Sequence, residues 1–334
     1  MPKGIAWVTT PFLLNYKDPE SLFRPLTEEA DLEVRLDRVG NRMTEEELIQ
    51  GLPGVVAVIA GSEPYTSRVF ASAGSLCIVS RSGVGLNSID LRAATASGVV
   101  VTHAAGQNAV SVAEHTMAIL LAAARRVPWM EERFRKGAWR EVQVPCVPLI
   151  GKTLGILGFG NVGKQVAHRA AAFDMELLAY DPYPDEVHAA RVGAAFLPLK
   201  EVARRADYLC CHVPLTLETQ NLIGRDLISL MKPGSFVVNT SRGGLVDLDA
   251  LVEALQEGRV RGAALDVFPE EPPDFDHPIF SMENVVLTPH AAGRGEDAIY
   301  NTARHAMACV IEFFAGRCPS DVANRDVLGR LNFS

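Results

Sequence analysis

Short runs of aliphatic and β-branched residues alternate with helical stretches twice along this chain, and this alternation constrains its fold more than any other feature. Strands separated by helices run parallel, and helices cover both faces of their sheet. The sequence therefore predicts an α/β protein with two doubly wound parallel sheets. The predicted strands are Ile5–Thr9, Leu32–Leu36, Val55–Ala60, Leu76–Ser80 and Val99–Thr102 in the first series, and Thr153–Leu157, Glu176–Tyr180, Tyr208–Val213, Phe236–Asn239, Val260–Ala264 and Val285–Leu287 in the second.

The composition excludes several classes of protein. A chain of 334 residues fits about two domains, and its 48% hydrophobic and 22% charged residues are typical of a globular protein. The formal net charge of −8 argues against nucleic-acid binding. The six cysteines show neither a zinc-binding nor a disulfide-framework spacing, so we expect reduced thiols, a cytoplasmic protein and no metal site.

One long helix is predicted between the two series, over Asn108–Val127, and Pro128 interrupts the pattern after it. The helix is apolar nearly all round, so we expect it to lie buried between the two domains. Its most apolar stretch, Thr116–Ala124, covers nine residues, whereas a helix that spans a bilayer needs roughly 20. We therefore expect no membrane partner. A last helix is predicted over about Ala298–Ala315.

Three glycines, Gly158, Gly160 and Gly163, lie between the predicted strand Thr153–Leu157 and a predicted helix over Lys164–Phe173. In a GxGxxG turn the first glycine permits the tight turn, the second lets the backbone approach a pyrophosphate, and the third lets the helix pack closely on the strand. The N-terminus of the helix then binds the phosphates through its N–H groups and its dipole. Glycine-rich turns are common, so this motif needs support from its context.

An acidic residue at the end of the next strand supplies that context. Asp181 lies 23 residues after Gly158, where a carboxylate would hydrogen-bond an adenosine ribose diol and repel a 2′-phosphate. No arginine follows at once, because the next residues are Pro182-Tyr183-Pro184. The pattern predicts NAD rather than NADP as cofactor. The alternative is an aspartate that only starts a proline turn.

Polar residues follow three of the later predicted strands: Arg242 follows one, Glu271 the next and His290 the last. Because parallel strands end at the same edge of a sheet, these side chains can converge on one crevice. Hydride transfer between a nicotinamide and an alcohol or ketone needs a group that exchanges a proton and a cation that holds an acidic substrate. Taken singly, the three residues could be a surface cation, a solvated acidic turn and a capped or core histidine. Their occurrence together with the glycine motif favours catalysis.

Six motifs in this order resemble those of the NAD-dependent D-isomer-specific 2-hydroxyacid dehydrogenases, a family that includes phosphoglycerate dehydrogenase. The motifs are Ser82-Gly83-Val84-Gly85 with Ile89-Asp90, Asn108 with Val112-Ala113-Glu114-His115, Gly158–Gly163, Asn239–Gly244, Asp266–Pro272 and Thr288–His290. The resemblance covers nearly the whole chain. It implies a discontinuous, flavodoxin-like substrate-binding domain over residues 1–103 plus 292–334, and a Rossmann NAD-binding domain over residues 104–291. It also implies a homodimer formed through the NAD-binding domain.

The resemblance further implies reversible hydride transfer between NAD(H) and a small 2-hydroxy or 2-oxo acid. His290 would be the general acid/base, Glu271 its orienting partner, and Arg242 the clamp on the substrate carboxylate and the reacting oxygen. The residues implied to bind NAD are Gly158, Gly160, Asn161, Val162, Gly163, Asp181, His212, Val213, Pro214, Thr240, Ser241, Arg242, Asp266, His290 and Gly293. Those implied to bind substrate are Arg81, Ser82, Gly83, Val84, Gly85, Asn108, Arg242, His290 and Arg294.

Two arginines bear on the class of substrate. Arg294 is an unusual cation at its place in the family pattern, and Arg81 matches an arginine of phosphoglycerate-type members. We hypothesise that both meet a second anionic group, as in a 3-phosphoglycerate-like, phosphonate or sulfonate substrate. Against this, Ala60 stands where those members often carry an arginine, and Arg294 alone could be an exposed solubilising charge.

Two other functions stay open at this point. One is a glyoxylate or hydroxypyruvate reductase, in which both arginines are structural. The other is an NAD-sensing corepressor-like binding protein, because such proteins share the fold and much of the site. A formate dehydrogenase is disfavoured, since the histidine partner there is commonly Gln rather than Glu271. We interpret His115, beside Glu114, as helix packing or hinge structure, and the adjacent Cys210 and Cys211 as core.

Overall fold

The computed structural model describes residues 3–10, 13, 18–36, 43–139, 145–331 and 333. The chain divides into two compact units, the first formed by Met1–Asn108 with Gly295–Ser334 and the second by Ala109–Arg294. Each unit holds one parallel sheet with helices packed on both faces. The predicted α/β class with two doubly wound parallel sheets is therefore confirmed.

The secondary structure is numbered in chain order. The strands are β1 (Ile5–Val8), β2 (Glu33–Leu36), β3 (Val55–Ala60), β4 (Ile78–Arg81), β5 (Val100–His103), β6 (Thr153–Leu157), β7 (Glu176–Tyr180), β8 (Ala194–Phe196), β9 (Tyr208–Cys211), β10 (Ser235–Asn239), β11 (Val260–Leu265) and β12 (Val285–Leu287). The α-helices are α1 (Pro19–Glu28), α2 (Glu45–Gly51), α3 (Ser67–Ser72), α4 (Leu91–Ala96), α5 (Ala109–Arg125), α6 (Val127–Arg135), α7 (Asn161–Ala171), α8 (Glu186–Val192), α9 (Leu199–Arg205), α10 (Arg225–Leu230), α11 (Leu248–Gln256) and α12 (Glu296–Phe314).

The sheet of the first unit has the strand order β2-β1-β3-β4-β5, and every pairing in it is parallel. Its central strand β3 reads Val-Val-Ala-Val-Ile-Ala and is almost completely buried, as a strand covered on both faces requires. Phe23 of α1 and Met307 of α12 belong to the core on one face. Leu48 of α2 and Phe70 of α3 belong to the core on the other. The carboxyl end of β4 leads into the Gly83 loop.

The sheet of the second unit has the order β12-β11-β10-β9-β6-β7-β8, again with parallel pairings. The first strand of this unit, β6, lies between β7 and β9, so the direction of strand addition reverses beside it. Open α/β sheets bind ligands outside the carboxyl ends of the strands at such a switch point. Leu120 of α5 and Val166 of α7 pack on one face of the sheet, and Val202 of α9 and Leu251 of α11 pack on the other.

The predicted helix Asn108–Val127 is confirmed as α5, and a second helix that was not predicted, α6, follows it. The helix α5 ends at Arg125, Arg126 adopts a left-handed conformation with φ 53°, and α6 then continues the chain with Pro128 in its first turn. Proline fits the start of a helix but not its interior, which explains the break. Most sides of α5 are buried, and its exposed residues, Val110, Glu114, Ala118 and Arg125, form a narrow stripe.

One predicted helix start was wrong, and one strand was not predicted. Helix α7 begins at Asn161, three residues before the predicted start, because the last residues of the glycine motif, Asn161 to Gly163, already form the first turn of the helix. The edge strand β8 was not predicted, since three residues of Ala-Ala-Phe carry no readable alternation. In the part of the chain that the structure describes, every helix is too short or too polar to cross a membrane.

Candidate active site

The glycine turn joins β6 to α7 through two close backbone approaches. Gly158 has φ +94°, and a Cβ there would lie 2.7 Å from the carbonyl carbon of His212. A Cβ on Gly163 would lie 2.1 Å from the Gly158 carbonyl oxygen. Helix α7 starts after Gly160, which provides no side-chain cap, so the backbone N–H groups of its first turn face outward. This turn can therefore receive a pyrophosphate, as NAD requires.

Asp181 follows β7 and is tied to the glycine turn. Its Oδ2 accepts a hydrogen bond of 2.7 Å from the backbone N–H of Phe159, and its Oδ1 accepts one of 2.9 Å from that of Tyr183. The second bond is the local turn that we considered as the alternative role of this aspartate. An ionised carboxylate has about four acceptor positions, so two remain for ribose hydroxyls.

The segment after β9 contacts the segment after β10. The hydroxyl of Ser241 donates a hydrogen bond of 2.7 Å to the carbonyl oxygen of Val213. The neighbouring His212 is half-buried, its Nε2 is shielded from solvent, and this desolvation lowers the pKa of its imidazole to about 4. Its Nε2 has no hydrogen-bond partner among the described residues. His212 is therefore neutral at pH 7, with a polar atom left for a bound molecule.

Arg242 is positioned by a polar turn and by a glycine. The buried Asn239 accepts a bond of 3.0 Å from the Ser241 N–H and donates one of 2.9 Å to the Arg242 carbonyl oxygen. A Cβ on Gly243 would lie 1.8 Å from the carbonyl carbon of Phe268, so the loop after β11 lies directly against this turn. Burial lowers the pKa of the Arg242 guanidinium, and the negative charge of Glu271 acts in the opposite direction.

His290 and Glu271 form a direct pair. The Nδ1 of His290 lies 2.6 Å from Oε2 of Glu271, and Oε1 of Glu271 accepts a bond of 3.2 Å from the Phe268 N–H. The side chains are 49% and 37% exposed, so both face an open space. With the proton on Nδ1 held by the carboxylate, Nε2 is the ring nitrogen available to a substrate.

Asp266 is the most heavily bonded side chain of the site. Its carboxylate is fully buried and accepts bonds from the Thr288 hydroxyl at 2.5 Å, the Ala291 N–H at 2.8 Å and the Ala292 N–H at 2.9 Å. Burial alone would raise the pKa of Asp266, but the bonds from His115, Thr288 and the backbone outweigh it and lower this pKa. The sequence suggested a cofactor contact for Asp266 and did not indicate this role in the 288–292 loop.

The remaining residues that were predicted to bind substrate lie in the first unit, except Arg294. The backbone N–H of Arg294 donates a hydrogen bond of 2.9 Å to the Ala291 carbonyl oxygen. The loop after β4 is held at both ends: the Ser82 N–H bonds the Ala60 carbonyl oxygen at 3.0 Å, and the Ala104 N–H bonds that of Gly83 at 2.9 Å. Arg81 donates to the carbonyl oxygens of Ala60 and Gly85, both at 3.3 Å. Asn108 lies at the end of the first segment of this unit.

The structure thus brings Arg242, Glu271, His290 and Asp266 together at the carboxyl ends of β10, β11 and β12. The glycine turn and Asp181 lie at the ends of β6 and β7 in the same sheet. Within the described ranges, no group of His, Cys, Asp and Glu side chains is arranged to hold a metal ion. The second unit therefore combines a cradle for a dinucleotide with an acid/base pair and a cation.

The chain resembles known proteins in sequence and in fold. The family model of the D-isomer specific 2-hydroxyacid dehydrogenase NAD-binding domain matches residues 117–292. The chain is 42% identical over 262 residues to D-3-phosphoglycerate dehydrogenase of Methanocaldococcus jannaschii, a match that covers 78% of this chain and 50% of that protein. It is 36% identical over 318 residues to glyoxylate reductase of Pyrococcus furiosus, with 93% and 94% covered. A solved Thermus thermophilus structure superposes with a TM-score of 0.85 at 34% identity, with 96% and 99% covered.

The chain spans about half the length of the phosphoglycerate dehydrogenases that it matches. The family model covers more than half of this chain, including the glycine turn, Asp181 and the three catalytic candidates. The prediction of NAD as cofactor is therefore confirmed. The chain belongs to the D-isomer specific 2-hydroxyacid dehydrogenase family, and residues 117–292 form its NAD-binding domain.

Proposed function

We propose that this protein is an NAD-dependent D-2-hydroxyacid dehydrogenase that reversibly reduces a small 2-oxo acid to the 2-hydroxy acid. The observation that carries the proposal is the 2.6 Å contact between His290 and Glu271, with Arg242 in the same cluster. When bound, the nicotinamide supplies a hydride to C2, and one proton from the protein completes the alcohol. In the reverse direction the protein takes up the proton of the 2-hydroxyl group.

His290 is the proposed proton donor and acceptor. Because Glu271 engages Nδ1, the Nε2 position faces the substrate oxygen and exchanges the proton with it. The adjacent carboxylate also stabilises the imidazolium that forms when the alcohol is oxidised. Arg242 carries a planar fork of N–H donors, which matches a carboxylate better than a lysine would. We propose that this fork binds the substrate carboxylate and polarises the reacting oxygen.

The residues that we propose to bind NAD all lie in the second unit. Gly158, Gly160 and Gly163, with Asn161 and Val162, would receive the pyrophosphate, and Asp181 would bind the adenosine ribose. The remaining proposed contacts are His212, Val213, Pro214, Thr240, Ser241, Arg242, Asp266, His290 and Gly293. The open N-terminus of α7 and Nε2 of His212, which has no hydrogen-bond partner in the described part of the chain, support this placement.

An Asp181→Asn variant is expected to lose much of its preference for NADH over NADPH. Asparagine keeps one acceptor oxygen, for either the Phe159 or the Tyr183 N–H group, and removes the charge that repels a 2′-phosphate. Hydrogen bonds to a charged group contribute about 1.5–3 kcal/mol, so the ratio of the two kcat/KM values should fall about tenfold or more. The matched control is Glu186→Gln, an exposed charge in α8. An unchanged ratio in Asp181→Asn would remove this residue from the ribose site.

The substrate is proposed to carry a second anionic group, such as phosphate, phosphonate or sulfonate. The support is the pair Arg81 and Arg294 and the likeness to phosphoglycerate dehydrogenases. The proposed substrate-binding loop is Ser82, Gly83, Val84 and Gly85, at the carboxyl end of β4, with Asn108. One observation favours simple acids instead: Arg81 already donates to the Ala60 and Gly85 carbonyl oxygens, which suits a structural role in that loop. Glyoxylate or hydroxypyruvate is the second candidate substrate for this reason.

The substrate class is tested by NADH oxidation with a panel of 2-oxo acids. The panel contains glyoxylate, pyruvate, hydroxypyruvate and three-carbon 2-oxo acids that bear phosphate, phosphonate or sulfonate. We expect the highest kcat/KM for dianionic members, and a selective rise in their KM when Arg294 is replaced by alanine. Activity with the simple acids alone would make both arginines structural. NADH binding without any turnover would favour an NAD-sensing, corepressor-like binding protein.

A homodimer formed through the second unit is also proposed. Apolar side chains on and after α6 are exposed: Val127 (50%), Met130 (36%), Phe134 (60%) and Trp139 (67%). The first three share one face of the helix through their spacing of three and four. Sedimentation equilibrium should give twice the chain mass of 36.1 kDa, and Phe134→Asp should halve it. Val187→Glu, an exposed site elsewhere on the unit, is the control, and a monomeric parent protein would contradict the proposal.

A cytoplasmic location is proposed from the cysteines. Cys77, Cys210, Cys211, Cys309 and Cys318 form no disulfide, although Cys210 and Cys211 are neighbours in β9. Burial raises the pKa of Cys211 to about 12, so this thiol stays protonated and inert. Unpaired thiols are typical of a reducing compartment. Recovery of the protein in a secreted or membrane fraction of its host would contradict this location.

A further inference from the structure

Three polar side chains on α5 contact the two loops that carry the catalytic candidates. The hydroxyl of Ser111 donates a bond of 2.8 Å to the Ala292 carbonyl oxygen. His115 Nε2 lies 2.9 Å from Oγ1 of Thr288, and Thr116 Oγ1 lies 2.8 Å from Oγ1 of Thr240. Ala292 and Thr288 flank His290, and Thr240 precedes Arg242. One helix therefore supports both loops from within the second unit.

The direction of the hydrogen bonds around His115 follows from the chemistry of its partners. Thr288 Oγ1 lies 2.5 Å from Oδ1 of Asp266, whose lowered pKa keeps it an ionised acceptor. The single hydroxyl proton of Thr288 is therefore donated to Asp266, and the same oxygen can only accept from His115. The proton of the His115 ring consequently sits on Nε2, which also lies 3.3 Å from Oδ1 of Asp266.

Asp266 in turn sets the backbone of the 288–292 loop. The N–H groups of His290, Ala291 and Ala292 all bond to Asp266, the first to its carbonyl oxygen at 2.8 Å and the other two to its carboxylate. His290 has φ +49°, a left-handed backbone conformation that residues other than glycine adopt only at a cost in free energy. These three bonds offset that cost, so a shift of the Asp266 carboxylate would move His290.

We infer that His115 is a positioning residue for the acid/base pair. It holds Thr288 and Oδ1 of Asp266, these hold the 288–292 loop, and the loop holds the imidazole of His290 against Glu271. This inference rests on the proposed function, because it assigns His290 the proton transfer. The inference goes beyond the interpretation of His115 from sequence, which was helix packing or hinge structure.

Two amide variants test the inference. Gln at position 115 places its amide nitrogen at the same bond count from Cβ as Nε2 of histidine, whereas Asn places it one bond closer. We expect His115→Gln to keep the kcat of the parent protein. We expect His115→Asn to lower kcat for a 2-oxo acid by up to about 100-fold, because a shift of about 1 Å in a reacting group costs this much. The KM for the acid and the Kd for NADH should change little in both. Glu114→Gln, the exposed neighbour on the same helix, is the control.

Three outcomes would overturn the inference. The first is an equal kcat in the two His115 variants, whether both are impaired or both are intact. The second is a loss that appears in the Kd for NADH instead of kcat. The third is an unchanged backbone in the loop, which hydrogen–deuterium exchange of the segment 288–293 reports in the ligand-free protein. We expect faster exchange there in His115→Asn and parent-like exchange in His115→Gln.

The exchange measurement separates this inference from the proposed function. If the parent protein turns over no 2-oxo acid, the proposed function fails. The exchange difference between the two variants would still decide whether His115 holds the loop, because that measurement needs neither substrate nor NADH. If turnover is present and exchange is equal in both variants, the proposed function stands and the role of His115 falls.

Discussion

A His290→Asn variant is expected to retain NADH binding, because His290 is only one of many proposed NAD contacts, and to reduce 2-oxo acids about 10²- to 10⁴-fold more slowly, the range that a general acid/base contributes. Asparagine is the suitable replacement because it tolerates the left-handed conformation of residue 290, where φ is +49°. It cannot exchange a proton at neutral pH, so the loss should appear in kcat. Steady-state NADH oxidation gives kcat, and quenching of protein fluorescence gives the Kd for NADH.

The interpretation of this variant needs a matched histidine. His168 is exposed in α7, so His168→Gln should leave kcat and the Kd for NADH unchanged. A Glu271→Gln variant should show a smaller loss than His290→Asn, because Gln keeps an acceptor for Nδ1 but lacks the charge that stabilises the imidazolium. Full activity of His290→Asn would mean that another group transfers the proton, and the proposed mechanism would be wrong.

Much of the catalytic unit could be predicted because its signals are local in the chain. The turn between β6 and α7 needs glycine where a Cβ would meet backbone, and this requirement is visible as the spacing of Gly158 and Gly163. Parallel strands bring their carboxyl ends to one edge, so Arg242 and His290 could be expected near each other from their positions after strands. The alternation of apolar runs with helical stretches is also local in the chain, and it therefore predicted both parallel sheets.

Contacts between side chains that lie far apart in the chain left no local signal in the sequence. His115 and Thr288 are 173 positions apart, and neither is unusual in its own segment. The same holds for Asp266, whose carboxylate was expected at a cofactor but bonds the loop of His290. Helix α6 also escaped prediction, because Pro128 indicates the end of a helical pattern, whereas in the structure it lies in the first turn of a new helix.

An Arg242→Lys variant is expected to lose about 10²- to 10³-fold in kcat/KM for a 2-oxo acid, as when one donor to a developing oxyanion is removed. Lysine keeps the charge but not the planar fork that can bind a carboxylate and a carbonyl oxygen together. It also cannot reproduce the 2.6 Å bond from Nη1 to the Ser241 carbonyl oxygen, which fixes the direction of the guanidinium. We therefore expect the KM for the 2-oxo acid to rise and kcat to fall in this variant.

Chemical rescue separates the role of this guanidinium from a structural one. Removal of the side chain in Arg242→Ala leaves a space beside Glu271, and added guanidinium ions should restore part of the kcat/KM in a concentration-dependent way. Arg225→Lys, at an exposed arginine that pairs with Glu253, is the control and should retain full activity. If Arg242→Lys kept full activity and added guanidinium did not raise the kcat/KM of Arg242→Ala, another residue would have to bind the substrate carboxylate. Rescue of kcat/KM without recovery of thermal stability would show that the cation acts on the substrate, because a packing defect would not respond to it.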